Sequence, residues 1–151
     1  MFVLKHTGWS HPVAAIALLA ALDLSAQPPL PNGPPCDLFE HGTFTLPGDH
    51  PGEEMRIVRR GSKQVEHAPE GYRSITRVKW LDDCTYQLFD RRVKGGPDPH
   101  PGNPTDTLTI RIIDTWYHGY SFRATSNFSD LEMMGTMELV QPKLGGVSFG
   151  F

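Results

Sequence analysis

From Gly42 onward the chain runs in short stretches of alternating apolar and polar side chains, and most links between them are brief and rich in Gly, Pro, Asp and Asn. This pattern constrains the fold more than any other feature. Side chains two apart share one face of a strand, so alternation marks a strand with one buried face. Strands joined by a few residues must run antiparallel, because a parallel crossover needs about a dozen residues or more. Eight stretches qualify: Gly42 to Leu46, Glu53 to Arg60, Lys63 to Ala68, Tyr72 to Leu81, Cys84 to Val93, Thr107 to Trp116, Tyr120 to Ala124 and Leu131 to Leu139. No helical period follows Cys36. The chain therefore reads as all-β: a meander of about eight antiparallel strands, closed into an up-and-down barrel or left as a strongly curved sheet.

The phase of each alternation assigns an inward row. It comprises Phe44, Met55, Ile57, Thr76, Val78, Trp80, Tyr86, Leu88, Leu108, Ile110, Ile112, Tyr120, Phe122, Leu131, Met133, Met137 and Leu139. Asp82-Asp83 is read as a hairpin turn. Residues 95–106 (GGPDPHPGNPTD) form a long loop whose four prolines exclude an inner strand.

The first 26 residues have a different character. Lys5 is followed by ten uninterrupted apolar residues, Val13 to Leu22, and then by Leu24 and Ala26. That is the order of a signal peptide cut before Gln27. The run is too short for a membrane-spanning helix, which needs about 20 apolar residues. The expected organisation is a signal peptide over 1–26, a proline-rich linker over 27–35, a β domain over 36–141 and a C-terminal tail over 142–151. The expected location is outside the cytoplasm, in the periplasm, on the outer surface or secreted, with no spanning segment after processing. The tail ends in alternating Val147, Phe149 and Phe151. The charged outward rows argue against an outer-membrane barrel, which needs a lipid-facing apolar row on every strand.

The formal net charge is −3, so no global charge draws the chain to nucleic acid, and none is expected as a partner. Cations nevertheless crowd the middle: Arg56, Arg59, Arg60, Lys63, Arg73, Arg77, Lys79, Arg91, Arg92 and Lys94. They read as solvated outer strand faces; a basic face formed by Arg56, Arg77, Lys79, Arg91 and Arg111 for an acidic partner is the alternative. The two cysteines are Cys36 and Cys84. In an exported chain such a pair is expected to form a disulfide, two free buried thiols being the other arrangement.

Three motifs carry a resemblance: Cys36-x-x-Phe39-x-x-Gly42-Thr43-Phe44, then Val78-Lys79-Trp80-Leu81-Asp82-Asp83-Cys84-Thr85-Tyr86-x-Leu88, then Gly135-Thr136-Met137-Glu138. In this order they resemble a family of small secreted bacterial proteins of unknown function. The resemblance implies a β domain and a Cys36–Cys84 pair, and brings no active site. Gly42-Thr43-Phe44 is also similar, at the level of fold, to the Gly-x-Trp opening of lipocalin-type barrels, with Phe in place of Trp.

No nucleophile motif, His-Glu-x-x-His pair or phosphate loop is present. Asp82-Asp83 and Glu53-Glu54 are adjacent carboxylates that point to opposite faces of a strand. His100 shares the long loop with Asp98, Asn103 and Asp106, a set that matches no metal motif, and a plain loop is the favoured reading. Neither a cofactor nor a metal site is expected. Phe44, Trp80, Tyr86, Tyr120 and Phe122 are the aromatic residues placed either to fill the core or to line a ligand cavity, and in so short a domain a filled core is favoured. The chain is thus expected to be a non-enzymatic binding or structural protein, with a small apolar ligand or an acidic cell-surface partner as the two candidates for what it meets.

Overall fold

A computed structural model describes residues 32–140; the signal-peptide and tail assignments lie outside these residues. A one-turn 3-10 helix, Cys36–Phe39, leads into eight strands: β1 (Gly42–Leu46), β2 (Met55–Arg60), β3 (Lys63–His67), β4 (Arg73–Asp82), β5 (Thr85–Lys94), β6 (Leu108–Trp116), β7 (Gly119–Ser126) and β8 (Met133–Leu139). Each strand pairs antiparallel with the next, and β8 returns to β1, so the sheet closes into a barrel in sequence order. The closed form is the one realised.

The wall is uneven. β4 and β5 are the longest strands, ten residues each. β5 pairs with β6 only from Thr85 to Leu88, so its outer half rests on β4 alone. The β1–β8 seam is narrower still, with Phe44 opposite Leu139 and Thr45 opposite Glu138, plus a bond from the Val140 amide to the Thr43 carbonyl.

Alternation places the core as the pattern dictates. Phe44, Ile57, Val78, Tyr86, Leu88, Ile110, Ile112, Tyr120, Phe122, Ala124 and Met137 are buried in one cluster. Full burial of each large apolar side chain is worth about 1.5–3 kcal/mol. The 3-10 helix covers one end of the barrel. Cys36 and Phe39 are buried there, the Phe39 ring lies 5.2 Å from that of Tyr120, and the Thr115 hydroxyl donates to the Pro34 carbonyl at 2.7 Å. A disulfide joins Cys36 to Cys84 in the β4–β5 turn and fastens this cover to the longest hairpin.

Four expectations need correction. Arg59, counted among the outer cations, is fully buried: it shares the phase of Met55 and Ile57, and the barrel interior supplies its partners. Leu131 precedes β8 and stands 77% exposed, because the β7–β8 link extends to it. The β4–β5 turn is Asp83-Cys84, with Asp82 still in strand β4, where its carboxylate accepts the Cys84 amide at 2.9 Å. Arg91 does not belong to an outer basic face. The β4–β5 register shifts between Ile75 and Arg77, and Asp90 adopts a positive φ of 51°. This bulge turns the Arg91 guanidine over Ser74, whose hydroxyl accepts Nε at 3.0 Å.

Candidate functional site

The interior divides into a filled half under the 3-10 helix and an open half at the other end. Arg59 organises the filled half. Its Nε donates to Gln64 Oε1 at 2.9 Å, one terminal nitrogen donates to the Phe39 carbonyl at 2.8 Å, and the other to the hydroxyls of Tyr86 (2.7 Å) and Tyr120 (3.1 Å). The guanidinium also lies over the Tyr86 ring, 4.3 Å from its centroid, and 5.2 Å from that of Phe44. Burial works against this charge, but the phenol oxygens of Tyr86 and Tyr120 outweigh it, so the group is held more firmly protonated than usual. Burial also pushes the Tyr86 phenol well above its ordinary range, with Tyr120 adding to the effect and Arg59 opposing it.

Of the aromatic candidates, Phe44 and Tyr120 are fully buried in this filled half. Trp80 is only partly buried, its ring 4.8 Å from that of Tyr86 and tilted 45° to it at the closed end. These three follow the core expectation. Tyr86 and Phe122 are different, because each also reaches the open half and lines its floor.

The open half is a cavity of about 470 Å³. Its wall is largely apolar: Leu46, Met55, Ile57, Leu88, Leu108 and Ala124 are among the residues that form it. A wider cleft of about 830 Å³ lies at the mouth between the outer half of β5 and the long loop, and shares Met55, Glu66, Leu88, Leu108 and Met133 with the cavity below. Both volumes fall in the range of about 300–1,000 Å³ typical of small-molecule sites. The favoured expectation of a filled interior therefore holds for one half only. Two features keep the other half open: β5 leaves β6 after Leu88, and small or polar side chains stand where a packed core needs bulk. Ala124 is one such position, buried in the cavity wall; Gly135 by contrast is packed, since a Cβ built there would lie 2.7 Å from the Phe122 ring.

One side of the open half is polar. Gln64 and Glu66 on β3 face inward opposite Thr76 and Ser74 on β4. The Gln64 amide is a relay: its oxygen accepts from Arg59 and its nitrogen donates to Glu66 Oε1 at 2.8 Å. Burial pushes the Glu66 carboxyl up, opposed by the Gln64 hydrogen bond and by the charges of Arg91 and Arg59. The signal for this side was present in the sequence. Arg59 is in phase with Ile57, and Gln64 and Glu66 are in phase with Ala68, but a polar inner row reads as an outer one when charge alone is used.

The long loop arches over the mouth and is tied down by Arg91. That guanidinium grips Asp98 at 2.8 Å and donates to the His100 carbonyl at 3.1 Å. The Arg91 hydrogen bonds hold the Asp98 carboxyl below its usual range. Asp98 thus faces Arg91, while Asp106 accepts the Asn103 amide at 2.8 Å, so the loop's oxygens do not converge. Among the described residues no group of three or more His, Cys, Asp or Glu is placed to hold a metal ion. No described helix is long and apolar enough to cross a membrane.

Of the basic-face candidates, Arg56, Arg77 and Lys79 are exposed on β2 and β4, whereas Arg111 sits on β6 with its guanidine donating to the Thr85 hydroxyl at 3.3 Å. The register adds cations that the composition alone could not place. Arg60, Lys63 and Arg77 form one row across β2, β3 and β4. Arg56, His67, Arg73 and Lys94 form a second, across β2 to β5. Between them lies the row Val58, Val65, Ile75, Arg92. No carboxylate stands in any of the three rows.

No protein-family model, no curated protein and no solved structure matches this chain.

Proposed function

We propose that this chain is an exported, non-enzymatic binding protein that holds a small, mainly apolar ligand in the open half of its barrel. The cavity of about 470 Å³ under the mouth carries this reading. An apolar concave wall with a few polar groups at one side is the usual make-up of a small-molecule site. Four methionines, Met55, Met133, Met134 and Met137, contribute to the lining, and their flexible thioethers let such a wall adjust to the shape of a guest. The Cys36–Cys84 disulfide supports an oxidising compartment. The signal-peptide order of the first 26 residues points the same way.

The test is an uncharged fluorophore. N-phenyl-naphthylamine should bind with a blue shift and strong enhancement, at one site per chain. Ala124 is buried in the cavity wall, so Ala124→Phe should fill the space and weaken binding by roughly tenfold or more. A melting curve on the variant checks that the barrel is intact. Unchanged binding to a folded variant would place the fluorophore elsewhere.

The three outer rows on β2 to β5 favour a second reading, in which this face docks on an acidic partner such as a surface polyanion. Opposed cations without interleaved carboxylates repel one another and gain from a polyanion. Binding to immobilised heparin should weaken steeply with salt and should fall in Lys63→Glu/Arg77→Glu. Retention indifferent to both would reject it.

A further inference from the structure

The ligand cavity has one side that its apolar wall does not explain. Thr76 is 4% exposed, and it lines the mouth cleft. Its hydroxyl has no hydrogen-bond partner among the described residues. A buried hydroxyl left unpaired costs free energy, and a ligand group that meets it recovers that cost. Diagonal to it, on β3, stands Glu66, which lines both the cleft and the cavity below. One of its carboxylate oxygens accepts from Gln64 at 2.8 Å, and the other has no partner among the described residues. Ser74, opposite Glu66, already accepts from Arg91. Where the cleft meets the cavity, Glu66 and Thr76 thus leave a carboxylate oxygen that accepts and a hydroxyl that can accept or donate.

The cations nearby do not alter this. Arg59 is fully buried beneath Gln64 and is committed to four acceptors. Arg91 is occupied by Asp98, Ser74 and the His100 carbonyl. Neither presents a free fork to an anionic guest, and Arg92, at the rim of the cleft, is exposed and paired with Asp90 at 3.2 Å.

We infer that this polar side selects the head group of the ligand: the site takes an amphipathic molecule whose apolar body fills the cavity and whose hydrogen-bond-donating head, best a protonated amine, meets Glu66 and Thr76. A hydroxyl head can donate to Glu66 and accept from the Thr76 hydroxyl without adding charge. A carboxylate head places like charge beside Glu66, which the one hydrogen bond that Thr76 can donate does not offset, so simple fatty acids are disfavoured. This inference rests on the ligand-holding reading above.

The test is displacement of N-phenyl-naphthylamine by dodecylamine, dodecanol and dodecanoate, which share one chain length and differ in the head. With wild-type protein, the amine should displace at a concentration roughly tenfold below that of the carboxylate, with the alcohol between them. Glu66→Gln keeps the shape and should shrink the amine-to-carboxylate gap to less than about threefold. Thr76→Val should weaken the amine and the alcohol alike, which keeps the inference testable should the Glu66 variant fold poorly. Equal displacement by all three compounds overturns the inference. So does a gap that survives both substitutions, since the preference then comes from the acidic surface as a whole. Failure of the fluorophore to bind wild-type protein would remove the ligand-holding reading and this inference together. Binding without head-group discrimination removes the inference alone.

Discussion

Arg59→Met will lower the stability of the barrel by about 3–5 kcal/mol, seen as a drop in the urea midpoint with an unchanged slope. Methionine replaces the aliphatic stem but ends short of the guanidinium, so the loss combines the partners left behind with a small void. The Phe39 carbonyl, Gln64 Oε1 and the hydroxyls of Tyr86 and Tyr120 all accept from this one guanidinium. Each buried acceptor left unmade costs about 1–3 kcal/mol. The two phenols are 3.1 Å apart and can still bond each other, which brings the total below a plain sum. Set against a total stability of about 5–15 kcal/mol for a typical domain, the loss is large. A second variant separates this cause from loss of bulk. Arg59→Met/Tyr86→Phe/Tyr120→Phe removes the stranded hydroxyls together with the charge and should regain a good part of the deficit, as replacing a whole buried polar cluster often does. If the triple variant is less stable than the single one, the phenols contribute through something other than Arg59.

Cys84→Ser will cost about 2–5 kcal/mol, and reducing the native protein will cost about the same. The bridge spans a sequence separation of 48, so most of the effect lies in the freedom that the unfolded chain regains. The folded state is touched as well. The bridge holds the 3-10 helix that brings the Phe39 carbonyl to Arg59 and the Phe39 ring to Tyr120. The Cys84→Ser and Arg59→Met losses should therefore be less than additive, because both release the same cover. Strict additivity would show that the cover stays in place without its bridge.

Alternation and turn chemistry made the eight strands legible, with ends within about two residues of those observed. The inward apolar row followed from phase alone, because a one-residue slip sends a whole strand's side chains to the other face. Two classes of residue escaped. Arg59, Gln64 and Glu66 are polar residues on inward phases, and they become intelligible only when the closed barrel brings β2, β3, β5 and β7 around one point. Arg91 escaped for a different reason: a bulge at Asp90 breaks the period that any alternation argument relies on. The open half was hidden because the same apolar residues describe a packed core and a cavity wall. What decides between them is where β5 parts from β6, and pairing lengths are not written in either strand.

The narrow seam between β1 and β8 has a consequence for the order of assembly. Every other pairing joins neighbours in the chain, so the meander can zip up hairpin by hairpin with little loop entropy to overcome at each step. Only the seam must wait for the two extremes of the domain to meet, and it does so with two register pairs. Closure is therefore expected to come last in folding. In the native protein the amides bonded across this seam, that of Val140 to the Thr43 carbonyl among them, will exchange with solvent well ahead of those in the β4–β5 hairpin and ahead of the Leu139 amide, which donates to the His118 carbonyl instead. A barrel that breathes at one defined joint can loosen there while the Arg59 cluster, bonded to Gln64, Tyr86 and Tyr120 on β3, β5 and β7, stays assembled.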